Sequence, residues 1–78
     1  MHILQLAIMK QDILIKFGER VRKERTKLGL SQEELAARAG VHRTYIGMIE
    51  RAEKNITLQN IERIAKSLKL EVKDLLDN

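Results

Sequence analysis

The segment from Ser31 to Arg51 does most to limit what this chain can become. It reads as a capped helix, a glycine stop, a tight turn and a second helix. Ser31 and Glu34 have the spacing of a capping box, in which the hydroxyl accepts from the amide three residues on and the carboxylate reaches back to the cap. Leu35, Ala36 and Ala39 form the inner side of this helix. Gly40 ends it, because glycine takes the left-handed conformation that closes a helix. Val41 packs toward the core, His42 serves as the next cap, and a helix from Arg43 to about Arg51 follows.

The rest of the chain is expected to be helical as well. It has no Pro and few aromatics, with one Phe and one Tyr, and it is rich in Leu, Ile, Ala, Glu, Lys and Arg. A first helix from Asp12 to Leu28 places Ile13, Phe17, Val21, Arg25 and Leu28 on its core side, and Gly29 closes it. After a break at Ala52–Asn55, Thr57 caps a fourth helix with Leu58, Ile61, Ile64, Ala65 and Leu68 inward. A short helix from Val72 to Leu76 completes a compact five-helix, all-α domain over residues 12–78. Residues 1–11 form an apolar N-terminal extension: a frayed tail, a further turn or two of the first helix, or a cover for an interface. It has neither the basic leader nor the cleavage site of a secretory signal, and it is too short to span a membrane.

Several classes of function fall away. With no Cys and only His2 and His42 as imidazoles, neither a disulfide framework nor a zinc site is expected, and no metal or cofactor is expected. No nucleophile–base pair or phosphate loop suggests an enzyme, and no small-molecule ligand is expected. The 15 basic against 11 acidic residues give +4. Lys10, Lys16, Arg20, Arg22, Lys23, Arg25 and Lys27 against Asp12, Glu19 and Glu24 supply all of it, so the first helix carries the field that would steer a polyanion.

Two short helices joined by a glycine turn match a helix-turn-helix, whose second helix can enter a DNA major groove. At 100° per residue, Ile46, Ile49 and Glu50 of that helix share one arc of about 100°, with Tyr45 at its margin. Arg43, Thr44, Gly47, Met48 and Arg51 fill the opposite arc of about 140° and would face outward. Arg43, at the helix start, has the fork that fits O6 and N7 of guanine, and Thr44, Tyr45 and Met48 are the other candidate base contacts. Gln32, His42, Arg51, Lys54 and Asn55 are candidate backbone contacts. Each also has an ordinary reading as a solvated surface residue or a cap. Glu50 faces inward and needs a cation, for which Arg25 is the obvious partner, the pair fixing the helix orientation rather than adding stability.

Gly29-Leu30-Ser31-Gln32-Glu33-Glu34-Leu35-Ala36, Ala39-Gly40-Val41, Tyr45-Ile46 and Ile49-Glu50-Arg51 resemble the lambda-repressor-like (Cro/C1, XRE-type) helix-turn-helix family from about Phe17 to Leu76. His42-Arg43-Thr44-Tyr45-Ile46 and Asn55-Ile56-Thr57 are more narrowly similar to restriction–modification controller proteins. The resemblance implies a homodimeric, sequence-specific transcriptional regulator that binds a double-stranded, pseudo-palindromic operator and stays in the cytoplasm, at the nucleoid. It also implies that Arg43 and Thr44 touch bases, that Tyr45 sits near the symmetric centre or backbone, and that Arg25 and Glu50 form the family's internal ion pair. Leu70, Val72, Leu75 and Leu76, with Leu68, become the dimerisation residues, and RNA polymerase a candidate further partner. Gly47 stands where the family commonly has Ser. A phage-type repressor, an antitoxin repressor and a protein-bridging module that reads no DNA are the alternative readings; neighbouring genes and competitor gel shifts would separate them.

Overall fold

The computed structural model describes the backbone of residues 2–76 and the side chains of residues 12–76. Among the described residues five helices follow one another: α1 (His2–Lys27), α2 (Gln32–Ala39), α3 (Arg43–Glu50), α4 (Leu58–Ser67) and α5 (Val72–Leu76). α1 begins far ahead of Asp12, so the extension continues the first helix; the side chains of Met1–Met9 lie outside the described residues. At 1.5 Å per residue its 26 residues span about 39 Å, which accounts for the 41 Å long axis of a molecule otherwise 23 × 21 Å.

The core lies where α1, α2, α3 and α4 meet. Val21, Leu35, Ile46 and Ile64 have no exposed surface, and Phe17, Ile49, Leu68 and Leu75 close around them. Three residues expected there are outside. Ile13 is 59% exposed because the N-terminal part of α1 runs past its partners. Leu28 is 42% exposed because the turn at Gly29 swings Leu30 inward in its place. Leu58, at the first position of α4, is 79% exposed, and the inward stripe of that helix starts at Ile61.

The helix ends share one device. In α1 the amides of Gly29 and Leu30 return to the carbonyls of Thr26 and Arg25, with Gly29 at φ 70°. α2 closes through Gly40 at φ 71° and the bond from the Val41 amide to Ala36. α3 and α4 close the same way without glycine: Ala52 (φ 59°) and Lys69 (φ 61°) hold the left-handed corner, and Glu53 and Leu70 bond back to Met48 and Ala65. Glycine has a different use at Gly18, in the middle of α1. A Cβ there would collide with the Ile49 carbonyl oxygen and lie 3.1 Å from that of Glu50. The missing side chain lets the backbone of α1 touch the last turn of α3.

Candidate nucleic-acid interface

The second helix of the turn is anchored at both ends. At its start the His42 imidazole Nδ1 accepts from the Thr44 amide at 3.1 Å. At its end, Glu50 receives Arg25 Nε at 2.7 Å and Arg25 Nη2 at 2.9 Å, with the two side chains only 3% and 11% exposed. Arg25 Nη1 also donates to the Leu30 carbonyl at 2.8 Å, and Gln32 Nε2 donates to Glu50 at 3.1 Å. The bond to Glu50 raises the pKa of Arg25 against the opposing effect of burial. This network joins the C-terminal end of α1, the turn at Leu30, the start of α2 and the end of α3, so the orientation of α3 is set by four residues of one polar cluster.

Upstream, the start of α2 is fixed by the expected reciprocal cap. The Glu34 amide donates to Ser31 Oγ at 3.0 Å and the Ser31 amide donates to Glu34 Oε1 at 2.9 Å. Those bonds hold the Glu34 carboxyl below its ordinary pKa.

Ile46 and Ile49 face the core and are closed off, whereas Arg43 and Thr44 are exposed. The Arg43 guanidinium is not idle: its Nη1 contacts Glu33 Oε2 at 3.1 Å, across the gap between α2 and α3. Both side chains of this pair stay open, at 65% and 72% exposure. A shallow cleft beside them is lined by Gln32, Glu33, Arg43, Thr44, Gly47 and Arg51.

Several expected roles change in this setting. Gly47 is buried, not open, because Arg51 one turn later folds back over it; a Cβ at Gly47 would lie 3.0 Å from Arg51 Nη1 and 3.5 Å from Gln32 Oε1. Met48 is half-buried and stands at the edge of the outward arc rather than within it. Tyr45 packs its ring against the core while its hydroxyl accepts from Asn60 Nδ2 at 3.1 Å, which leaves the phenolic hydrogen to donate elsewhere. Gln32 has its side-chain amide engaged by Glu50, so an anion there would meet the free backbone N–H groups of the first turn of α2 instead. Arg51, Lys54 and Asn55 are exposed, and Arg51 Nε lies 3.1 Å from Glu53 Oε2.

The expected dimerisation set divides. Leu68 and Leu75 are 3% and 2% exposed in the core of their own subunit, because each falls on the inward stripe of its helix pair, and neither offers surface to a second copy. Leu70 and Val72 are half-buried against that core, and Leu76 is 53% exposed. Glu33, Asn60 and Gly18 are contributors that the sequence reading missed. Glu33 pairs with a residue ten positions away and Asn60 with one fifteen away, and no local spacing announces either.

Comparison with known proteins places this geometry. Residues 21–75 match the family described as Helix-turn-helix. Control protein C.BamHI of Bacillus amyloliquefaciens is 49% identical over 70 residues, covering 88% of this chain and 86% of that protein. The crystal structure of the restriction-modification controller protein C.AhdI from Aeromonas hydrophila superposes with a TM-score of 0.78 at 47% identity, covering 80% of this chain and 94% of that one. SinR, a master regulator for biofilm formation solved in complex with DNA, superposes with a TM-score of 0.75 at 37% identity over 78% of this chain and 98% of that chain.

Proposed function

The chain belongs to the helix-turn-helix family, among the restriction–modification controller proteins, and from that premise we propose that two copies read a pseudo-palindromic operator through their α3 helices. It is a DNA-binding regulator of transcription. The observation that carries the reading is the two-sidedness of α3: Ile46 and Ile49 are sealed inside, while Arg43 and Thr44 stand in solvent at the helix start, where a recognition helix reaches deepest.

Arg43 reads a guanine edge and Thr44 an adjacent base. Tyr45, held by Asn60, donates its hydroxyl near the symmetric centre, and Met48 reaches a base only from the margin. The first turn of α2 at Gln32, together with His42, Arg51, Lys54 and Asn55, grips the phosphate backbone. The basic α1 supplies the long-range attraction. Two copies meet through Leu76 with Leu70 and Val72. Paired α3 helices then enter successive major grooves about 34 Å apart. Occupancy beside a promoter lets the dimer recruit or block RNA polymerase, a task carried out on the nucleoid in the cytoplasm. No described helix is long and apolar enough to cross a membrane.

Selection of bound duplexes from a random pool tests this. Enrichment of one inverted-repeat site, with preference relaxed at one position per half-site in Arg43→Ala, is the expected result. Recovery of unrelated sequences by both proteins would reject base reading by α3.

A further inference from the structure

A second cleft lies between the last turns of α2 and α4, lined by Arg38, Ala39, Arg63, Lys66, Ser67 and Lys69. It shares no residue with the cleft beside Arg43. Arg38 is five residues beyond Glu33 on α2, about 7.5 Å along the axis and about 140° round it. Among the described residues, no carboxylate lies within ion-pair distance of its four cations. Their nearest acidic neighbours in sequence are Glu34, bonded back to Ser31 and attracting Arg38 only at longer range, Glu62, and Glu71, which pairs with Lys73.

Cations in a last helical turn complement the helix dipole, and that accounts for Arg38 and Lys66 one at a time. It does not account for Arg63, inside α4, or for Lys69. Lys69 holds the left-handed corner at φ 61°, a place where glycine would carry no strain, and it delivers a fourth charge to the same cleft.

We propose that this cleft docks an acidic segment of a partner protein while α3 is engaged on DNA. The shape decides the class of ligand. A duplex meets protein by taking a projecting helix or strand into its own groove, about 12 Å wide. This site is instead a recess between helices whose axes pack about 8–10 Å apart, too narrow to admit the duplex itself. An unpaired nucleic-acid strand needs aromatic platforms on which to stack its bases, and the lining contains only cations, an alanine and a serine. A polypeptide carrying carboxylates fits: its acidic groups meet the rim and its backbone and small side chains rest on Ala39, with Ser67 Oγ donating to the Arg63 carbonyl beneath.

The test titrates the full 15N-labelled chain with a decapeptide alternating glutamate and alanine, with oligothymidylate, and with a non-operator duplex. The peptide should shift the amides of Arg38, Ala39, Ser67 and Lys69 saturably, and these shifts should persist when operator DNA is already bound. An Arg63→Ala/Lys66→Ala double variant should weaken the peptide by about tenfold while keeping its thermal transition and its operator affinity; Arg63→Lys/Lys66→Arg should restore binding. Shifts centred instead on Arg20, Arg22 and Lys23, unchanged peptide affinity in the double variant, or displacement of the peptide by oligothymidylate or duplex at this cleft would each overturn the proposal.

Discussion

Two arginine–glutamate pairs tie α3 to other helices, and their chemistry is the same while their surroundings are opposite. Arg25 and Glu50 are nearly sealed, joined through two contacts and bonded further to Leu30 and Gln32. Arg43 and Glu33 meet through one contact, with about two thirds or more of each side chain in solvent. A buried, multiply bonded pair cannot lose one member without stranding a charge, so it fixes α3. An exposed pair contributes little and exchanges readily with water, so it can hold the Arg43 fork in front of the cleft and still release it to a base. The sealed pair sets where the helix lies; the open pair sets where the proposed reader waits.

The comparison predicts a gradient of effects. Glu50→Ala should destabilise the fold by about 3–5 kcal/mol, since it leaves Arg25 buried without its partner; urea unfolding measures this, and a loss comparable to that of an exposed pair would remove the distinction. Gly18→Ala should cost about 1–3 kcal/mol by pushing α1 off the carbonyls of Ile49 and Glu50, and the same unfolding curve would show it. Arg43→Ala should leave the fold intact but weaken operator binding by about 1–3 kcal/mol, read by gel shift against a site altered at the corresponding base. Glu33→Ala should change stability by less than about 0.5 kcal/mol. It should also lower discrimination between operator and random duplex by freeing Arg43; a large loss of stability would mean the open pair is structural after all.

The smallest effect concerns pH. Glu34 has a folded-state pKa below its ordinary value of 4.5, so its capping contribution is complete above that value and is lost as the pH falls through the depressed one. Thermal midpoints should therefore fall on acidification more steeply for the native chain than for Glu34→Gln.

The helix boundaries from Gly29 onward were the most legible part of the sequence, because caps and stops are written in single residues; the start of α1, expected at Asp12, lies at His2 instead. Ser31 with Glu34, Thr57, Gly29 and Gly40 all act locally and appear where their chemistry requires. The inward glutamate also named its partner, since Arg25 is a cation expected on the buried side of α1. Burial was legible only in direction. Periodicity put Ile13, Leu28 and Leu58 on the core side and all three are exposed, because it does not say where a helix ends or how far a neighbouring helix extends to cover a residue. The same limit hid the engagement of Leu75 within one subunit, whereas Leu68 was already legible as an inward residue of α4. At Gly47 the signal was present but incomplete: Arg51 is one turn later on the same face, and its fold-back depends on the missing side chain. The partners of Arg43 and Tyr45 depend on how α2 and α4 pack, which no local spacing encodes.

Closing α3 through Ala52 rather than glycine has a consequence for how this regulator can diversify. The left-handed corner after the recognition helix already bears a methyl group, so its backbone is committed to a shape that asparagine also accepts well. One codon at position 52 can thus extend an amide beside Arg51, Lys54 and Asn55 without moving a helix. On the proposed reading, a further grip on the phosphate backbone can be added there without repacking the core.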